Sequence, residues 1–402
     1  MITKTVIERL IDKGVEIPNP PSVTIGEDVD PDRISGQGVT LHPGTRILGE
    51  KTLIMAGATI GFETPVTLSN TMVGPGTSLK GGFFQDAVFA GHNSFGSGAH
   101  VRGGTILEEE ASAAHTVGLK QTILFPFVTL GSLINFCDIL MAGGTSRKDH
   151  SEVGSSFIHF NYTPNQDKAT PSMLGNVHQG VMLDQRPVFL GGQGGLVGPC
   201  RLAFGTVTAA GTICRRDELR PDRIVFGGAL KGGSIPRKEG AYTNAKKIYD
   251  ANCAYIAGLI SLMSWYRHVR SLFVSEPLSD KLHQGMTDTL QVCIDERIKR
   301  LGAFCMKLED SRAILISRAK GEMTELIRIH DAIIKQWPGA KAILTSETGH
   351  DYSTGIPKPF LAAVHSGTNY IETIKGLDPA TAILGSDWLN TIEQTIMEKI
   401  KL

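Results

Sequence analysis

Residues 95–107 read FGSGAHVRGGTIL, and this stretch sets the pattern of the first half of the chain. Large apolar residues return at every sixth position, at Phe95, Val101 and Leu107, with glycines between them. A period of six fits neither one face of an α-helix, whose period is 3.6, nor the simple alternation of a flat strand. It is typical of a solenoid in which each six-residue unit is one short strand followed by a tight corner.

The same period recurs on both sides of this stretch. Two further series are Ile54, Ile60, Val66 and Met72, and Leu190, Leu196 and Leu202. Of the 46 glycines in the 402 residues, 36 lie in residues 1–240, where tight corners require residues that tolerate a positive φ. An all-β barrel or sandwich with many glycine turns is the alternative, and the regular spacing over some 200 residues argues against it.

The second half of the chain changes to helical spacing. Two series carry this change: Leu290, Ile294, Ile298, Leu301, Phe304 and Leu308, and Leu384, Trp388, Ile392, Ile396 and Ile400. They predict amphipathic helices over about 241–337 and 380–400. We expect a break at Trp337-Pro338-Gly339 and mostly loop over 339–379, because Pro and Gly end helices.

Three regions follow from these patterns. We predict an N-terminal helix over 1–20, a β-solenoid over 21–240 and an α-helical domain over 241–402. We expect the Met and aromatic residues of the helical part to be core and packing residues.

Composition excludes several classes of protein. The 40 basic and 40 acidic side chains cancel, so the net charge attracts neither nucleic acid nor an anionic membrane surface. No apolar run is long enough to span a bilayer, and the N-terminal MITKTVIERLIDKG lacks the apolar stretch of a signal peptide. Six well-separated cysteines without a C-x-x-C pair disfavour a disulfide scaffold or a zinc ribbon, and predict a cytoplasmic protein.

Two cations stand out within the solenoid pattern. Arg102 and Lys120 are 18 residues apart, which is three units of six and therefore one full coil. Residues one coil apart stack on the same face, where two cations repel unless an anion lies between them. A phosphate suits such a pair because it accepts bidentate Arg contacts and a Lys point charge. Two solvated surface charges are the alternative.

At this point the motifs resemble a known family. Residues 23–240 resemble the left-handed β-helix acetyltransferase domain of the bifunctional N-acetylglucosamine-1-phosphate uridylyltransferases/glucosamine-1-phosphate acetyltransferases. VRGGT at 101–105 is similar to the family's L-R-P-G segment, and GLK at 118–120 to its E-I-K segment. The resemblance implies that Arg102 and Lys120 bind the phosphate of a sugar phosphate or a nucleotide sugar such as UDP-N-acetylglucosamine.

Further motifs follow in the family's order. VGSS at 153–156 with Asn161-Tyr162 is similar to I-G-A-G…N-Y, which implies that Asn161 and Tyr162 line the acceptor pocket, and Lys168 lies near a further family lysine. VFLGGQGGLVGP at 188–199, with Gly192, and AAGTI at 209–213, with Ala210, resemble the segments that receive acetyl-CoA. The family's arginine near the coenzyme phosphates is missing, and Lys231 is a candidate substitute. The resemblance also implies a homotrimer.

Two departures from the family pattern bear on activity. The nucleotidyltransferase domain with its Gly-rich loop is absent from this sequence. In addition, an ungapped count back from Asn161 puts Asp138 where the family has its catalytic His. An ordinary Asp is a weak base for an ammonium group unless burial raises its pKa. His150 is a second candidate base, with His159 and His115 as others.

The sequence therefore predicts an acyltransferase-like protein that binds a sugar phosphate or a UDP-linked amino sugar and uses acetyl-CoA for N-acetylation. The alternative is a non-catalytic or divergent nucleotide-sugar-binding protein that has lost the base. No metal site is predicted, because the histidines of the solenoid offer no H-x-x-x-x-H pair.

Overall fold

A computed structural model describes residues 5–227, 233–234, 239–320 and 322–402. Its first fourteen strands, β1 to β14, are Thr24–Ile25, Thr40–Leu41, Arg46–Leu48, Leu53–Ile54, Thr59–Ile60, Val66–Ser69, Met72–Val73, Ser78–Leu79, Gly82–Gln85, Ala87–Phe89, Ser94–Phe95, Ala99–Val101, Thr105–Leu107 and Ser112–Ala113. Strands β15 to β28 are Gly118–Leu124, Thr129–Leu130, Ile134–Met141, Gly144–Ser146, Asp149–His150, Glu152–Val153, Phe157–Phe160, Ser172–Leu174, Phe189–Leu190, Gly195–Val197, Arg201–Leu202, Val207–Thr208, Ile213–Cys214 and Ile224–Val225.

The α-helices lie mainly in the second half. Helices α1 to α8 are Val6–Lys13, Val177–Gly180, Ala245–His268, Pro277–Arg318, Glu325–Thr348, Lys358–His365, Tyr370–Lys375 and Pro379–Lys399. Short 3₁₀ helices cover Pro20–Ser22, Pro31–Arg33, Arg270–Phe273 and Ser353–Gly355. Among the described helices, none combines the length and the apolar content that crossing a lipid bilayer requires.

Apart from the antiparallel hairpin of β18 and β19, the strands stack in parallel as the three faces of a solenoid. The first face runs β1-β3-β6-β9-β12-β15-β17-β21-β24-β27, and the second runs β4-β7-β10-β13-β15-β17-β22-β25. The long strands β15 and β17 turn from one to the other. The third face is the ten-stranded sheet β2-β5-β8-β11-β14-β16-β20-β23-β26-β28. This architecture confirms the predicted β-solenoid of hexapeptide repeats followed by a helical part.

The six-residue ladder forms the inner core, with one exception. Phe95, Val101 and Leu107 are each fully buried, as the spacing predicts. Met72 departs from the pattern, because β4 and β7 pair Ile54 with Val73, so the coil between them has one additional residue. Val73 therefore takes the inner position, and Met72 faces helix α4 instead.

The corner between the first and second faces is a column of left-handed residues. We call this column, Gly49, Asn70, Asp86, Gly104, Gln121 and Asp138, the first corner. Each member has a positive φ, for example 74° at Gly104, 50° at Gln121 and 64° at Asp138. Gly, Asn and Asp tolerate this conformation better than other residues do. A corner position is thus sufficient to explain an Asp at 138.

The helical part covers the second face of the solenoid. All residues of β10 and β13 are buried, whereas β12 on the first face alternates, with His100 exposed between Ala99 and Val101. A strand buried on both sides must be covered on its outer side as well. Helix α4 packs on β4, β7, β10 and β13, and α3 packs on β22.

One prediction for the helical part is wrong. Helix α5 continues through Pro338 to Thr348, although a break was expected there, and α6 and α7 lie within the predicted loop. Ile333, Ala340 and Leu344 are buried on both sides of Pro338, so the packing of α5 against α4 and α3 outweighs the lost backbone hydrogen bond. The division at residue 240 stays a prediction, since 235–238 lie outside the described residues.

A buried charge cluster joins the solenoid to the helical part. Arg270 forms ion pairs with Glu108 and Glu109, which follow β13, and its guanidinium lies 4.1 Å from the centre of the Tyr370 ring. The hydroxyl of Tyr266 donates to Glu108 at 2.6 Å. Burial raises the pKa of Glu108 to about 7, although Arg270 opposes this shift. The junction thus contains a carboxyl group that holds a proton more tightly than in an unfolded chain.

This pKa predicts how stability depends on pH. Between the unfolded pKa of about 4.3 and the folded value, the native state binds more protons, so the free energy of unfolding falls as pH rises. We expect a loss of about 1–3 kcal/mol between pH 5 and pH 8 in urea titrations, and a flatter profile in Glu108→Gln. Glu110→Gln is the matched control and should keep the wild-type slope. Parallel profiles for wild type and Glu108→Gln would contradict this prediction.

Candidate functional site

The two cations singled out in the sequence lie on adjacent strands of the first face. His100 pairs with Gly118 and Val101 with Leu119, which sets Arg102 beside Lys120. Arg102 is exposed and Lys120 is half-buried, and within the described residues neither side chain has an ion-pair partner. The next strand places Cys137 beside Lys120. The structure therefore brings together the two cations that the spacing of 18 residues predicts.

Asp138 lies at the first corner, directly after Cys137, and is buried in an ion pair. Its Oδ1 is 2.8 Å from Nη2 of Arg297 on α4, and its side chain is only 4% exposed. Burial raises the pKa of Asp138, while the positive charge of Arg297 lowers it. Nε and Nη1 of Arg297 have no hydrogen-bond partner. In this state the carboxylate is directed at the helical part and not at solvent.

His150 lies at the edge of the second face that is opposite to the edge at Asp138. It belongs to the small hairpin of β18 and β19, and its Nε2 is 3.7 Å from Oε2 of Glu152. Asp138 lies at the first corner, within β17, whereas His150 lies in the hairpin that follows the second-face part of β17, so the two candidate bases lie at different corners of the solenoid. Their assignment as bases stays a prediction.

The other two histidines have defined partners. His159 is buried between the Cys137 carbonyl and the Ser172 hydroxyl, and burial lowers its pKa to about 4. This environment is that of an interior structural residue. His115 is exposed, with Nδ1 2.9 Å from the Ser132 hydroxyl.

The predicted acceptor residues follow β21 in a loop that the helical part holds. Asn161 is half-buried with an unpaired Oδ1, Tyr162 is 68% exposed and Lys168 is exposed. Polar contacts with the helical part hold the loop in place. These are Tyr242 to Asp167, Lys307 to the Asn165 carbonyl, and Asn252 to the Ala169 carbonyl. Helices α3 and α4 thus set the position of this loop.

Two of the predicted acetyl-CoA residues, Gly192 and Ala210, each lie next to a left-handed residue. Gly192 precedes Gln193, whose φ is 53°, and a Cβ at Gly192 would meet the Ser155 carbonyl oxygen at 2.8 Å. Ala210 is exposed and precedes Gly211. Lys231 lies outside the described residues. Among the described residues, no group of three His, Cys, Asp or Glu side chains is arranged to hold a metal ion.

A groove that the sequence did not reveal lies between the first corner and helix α4. Its volume is about 460 Å³, and it is closed on one side by corner residues and on the other by α4. Lys120 and Gln121 line one end of it, whereas Arg102 does not. Its charged and polar lining consists of Lys51, Asn70, Asp86, Lys120, Gln121, Asp288, Thr289 and Glu296. The sequence signal was the column of corner residues, but only the docked helix turns that column into a groove.

The solenoid half of the chain is similar in sequence to known proteins. No family model matches the chain. The bifunctional protein GlmU of Corynebacterium aurimucosum is 26% identical over 60% of this chain and 43% of its own length. The GlmU protein of Clavibacter sepedonicus is 30% identical over 44% of this chain and 32% of its own length. The GlmU protein of Nocardia farcinica is 28% identical over 57% of this chain and 41% of its own length. The chain thus spans less than half the length of these curated relatives.

A solved structure also resembles the chain. LpxA from Acinetobacter baumannii covers 54% of this chain and 70% of its own, with 14% identity and a TM-score of 0.27. The sequence relatives confirm the predicted resemblance to a hexapeptide-repeat acetyltransferase domain.

The pairing of Asp138 with Arg297 predicts strong coupling between the two residues. Removing one partner leaves a buried unpaired charge, so Asp138→Asn and Arg297→Met should each cost about 3–5 kcal/mol of unfolding free energy. Asn keeps the corner conformation. The double variant should lose at least about 1 kcal/mol less than the sum of the single variants in a denaturation cycle.

Arg300→Met is the matched control for this cycle. Arg300 lies on the same helix and pairs with Glu296, but it is partly exposed, so its loss should cost about 1 kcal/mol or less. Additive effects of Asp138→Asn and Arg297→Met would show that the pair contributes no coupling.

Proposed function

We propose that this protein binds a phosphorylated or UDP-linked amino sugar at Arg102 and Lys120, and that it catalyses acyl transfer from acetyl-CoA to the sugar amine. The observation that carries the proposal is the pair of stacked cations without ion-pair partners among the described residues. The likeness of the solenoid half to bifunctional GlmU proteins supports an acyltransferase-like function related to sugars.

The positive charges of Arg102 and Lys120 determine which ligands the pair favours. Two side chains on strands about 4.8 Å apart bring their positive charges close together, which costs free energy until an anion neutralises them. The guanidinium of Arg102 offers a planar fork for two phosphate oxygens, and the ammonium of Lys120 adds a point charge. A phosphate or diphosphate group fits both, whereas a neutral ligand leaves the repulsion in place.

The remaining predicted residues supply the other parts of the proposed reaction. Asn161 and Tyr162 would contact the amino sugar, with Lys168 near its phosphate, while Gly192 and Ala210 would border the pantetheine arm. Lys231, which lies outside the described residues, is our candidate for binding the coenzyme phosphates. A base takes a proton from the amine while the nitrogen attacks the thioester carbon. The oxyanion then collapses to the amide and releases coenzyme A as a thiol.

The base of this reaction is Asp138 or His150 in our proposal. Asp138 has a raised pKa, but its pairing with Arg297 leaves it turned away from solvent. His150 is half-buried beside Glu152. In the proposed homotrimer, different corners of neighbouring subunits can face one cleft. Asp138 and His150 therefore both stay candidates for the base, although they lie at different corners of one chain.

A second candidate function is binding without acyl transfer. The ion pair of Asp138 with Arg297 favours it, because this pair uses the carboxylate at the position that the motif count assigns to the base. The protein would then retain the cation pair and bind a nucleotide sugar, with the helical part used for assembly.

Ligand binding provides the first test. UDP-N-acetylglucosamine and glucosamine 1-phosphate should raise the melting temperature of the wild type. In calorimetric titrations, Arg102→Ala and Lys120→Ala should each raise Kd by roughly ten- to hundred-fold, since each removes a charge-assisted hydrogen bond. Arg46→Ala, an exposed arginine on the same face, is the control and should leave Kd unchanged. Wild-type protein that binds neither compound would overturn the proposal.

A thiol-release assay distinguishes the two candidate functions. With acetyl-CoA and glucosamine 1-phosphate, an acyltransferase should release free coenzyme A, and loss of the base should slow release by about 10²–10⁴-fold. Loss in His150→Gln with retention in Asp138→Asn would assign His150, and the reverse would assign Asp138. Ligand binding without thiol release would instead support the binding function for this substrate pair.

A further inference from the structure

The groove between the first corner and α4 is long and narrow. Its solenoid wall runs from Lys51 to Gln121, past the corner levels of Gly49, Asn70, Asp86, Gly104 and Gln121. At about 4.8 Å for each coil, these four steps span about 19 Å. The opposite wall runs from Gly285 to Glu296 on α4, which is about 16 Å at 1.5 Å for each residue. The two walls thus give similar lengths.

Both ends of the groove carry a lysine without an ion-pair partner among the described residues. Lys120 is at one end, next to Arg102 on the first face, and Lys51 is at the other. Asp86, Asp288 and Glu296 contribute carboxylates, which accept hydrogen bonds from hydroxyl or amide groups, and Glu296 is already paired with Arg300 at 2.6 Å. Asp288 already accepts from Gln284 at 2.7 Å and retains further lone pairs.

Gln121 supplies an observation independent of these charges. Its side chain is only 8% exposed and lines the groove, yet its Oε1 has no hydrogen-bond partner. A buried amide oxygen without a partner costs free energy, so such groups are rare unless a ligand or water satisfies them. Gln121 also directly follows Lys120. A hydroxyl or N–H group of a ligand bound at Lys120 would meet this requirement.

Apolar groups form the remainder of the lining. Met72 and Val88 come from the second face, and Gly285 and Val292 from α4. Gly285 allows the Met72 sulfur to approach, since a Cβ there would come within 2.0 Å of it. The combination of lysines, hydrogen-bond acceptors and apolar side chains suits a ligand with anionic groups, hydroxyls and a weakly polar part.

We infer that the groove binds an intact nucleoside diphosphate sugar, with its diphosphate near Lys120 and its remaining length along α4 toward Lys51. This inference rests on the proposed function, and of the two proposed ligand classes it selects the nucleotide-linked sugar over the sugar phosphate. A monosaccharide phosphate is far shorter than the groove. An extended nucleoside diphosphate sugar, with base, ribose, diphosphate and sugar in a row, is of comparable length. The helical part then forms one wall of the binding site.

The test compares a long ligand with a short one. UDP-N-acetylglucosamine and N-acetylglucosamine 1-phosphate are titrated calorimetrically into wild type, Lys51→Met, Asp288→Asn and Gln121→Asn. Asn tolerates the corner conformation of residue 121 but is too short to reach the same point. Lys148→Met, at an exposed lysine of the β18–β19 hairpin, is the matched control.

We expect Lys51→Met and Asp288→Asn to raise Kd for the long ligand by roughly tenfold, and to leave Kd for the short ligand within about twofold. Gln121→Asn, next to Lys120, should weaken both ligands, and Lys148→Met neither. Melting temperatures without ligand identify any variant that has simply lost its fold. Lys51→Arg is the conservative replacement at position 51 and should retain binding.

Three results would overturn the inference, and they can be told apart. If wild type binds the long ligand and Arg102→Ala weakens it, but the Lys51 and Asp288 variants do not, the groove is empty and the proposed function stands. If wild type binds the short ligand as tightly as the long one, the groove adds no affinity and the assignment is wrong. If wild type binds neither, the proposed function itself fails and the inference fails with it.

Discussion

The stacking of short coils is the constraint on which the rest of this molecule depends. Each coil closes only if the chain turns sharply at every corner, and at the first corner it does so through left-handed residues such as Gly104, Gln121 and Asp138. Because the coils repeat, any side chain next to such a corner is aligned with its counterparts above and below. The same register that buries the aliphatic ladder therefore also stacks Arg102 on Lys120.

The helical part uses this regularity as a docking surface. It covers the second face, so strands that would be half-exposed in a bare solenoid are buried throughout. Three ion pairs lie at this junction: Arg270 with Glu108, Arg270 with Glu109, and Arg297 with Asp138. Buried ion pairs are poor sources of net stability, but they strongly penalise any other alignment of the partners. We attribute to the pair of Asp138 with Arg297 the register of α4 against the first corner, and hence the shape of the groove.

The sequence predicted the solenoid because its signal is local and periodic. It failed where a distant contact decides the outcome. Pro338 has the residue type of a helix break, yet buried neighbours on both sides keep α5 continuous. An additional residue in one coil turned Met72 from the core toward α4.

The candidate site was predictable to a similar extent. The spacing of Arg102 and Lys120 placed them together, because the coil between them keeps the regular length of 18 residues. The environment of Asp138 was not predictable, since its partner Arg297 is remote in sequence. The groove was missed for the same reason, because α4 supplies half of its lining. The most direct test of the central claim is a crystal structure of the protein with UDP-N-acetylglucosamine at saturating concentration. We expect diphosphate density in contact with Arg102 and Lys120 that continues along α4, whereas a ligand bound away from both cations would contradict the assignment.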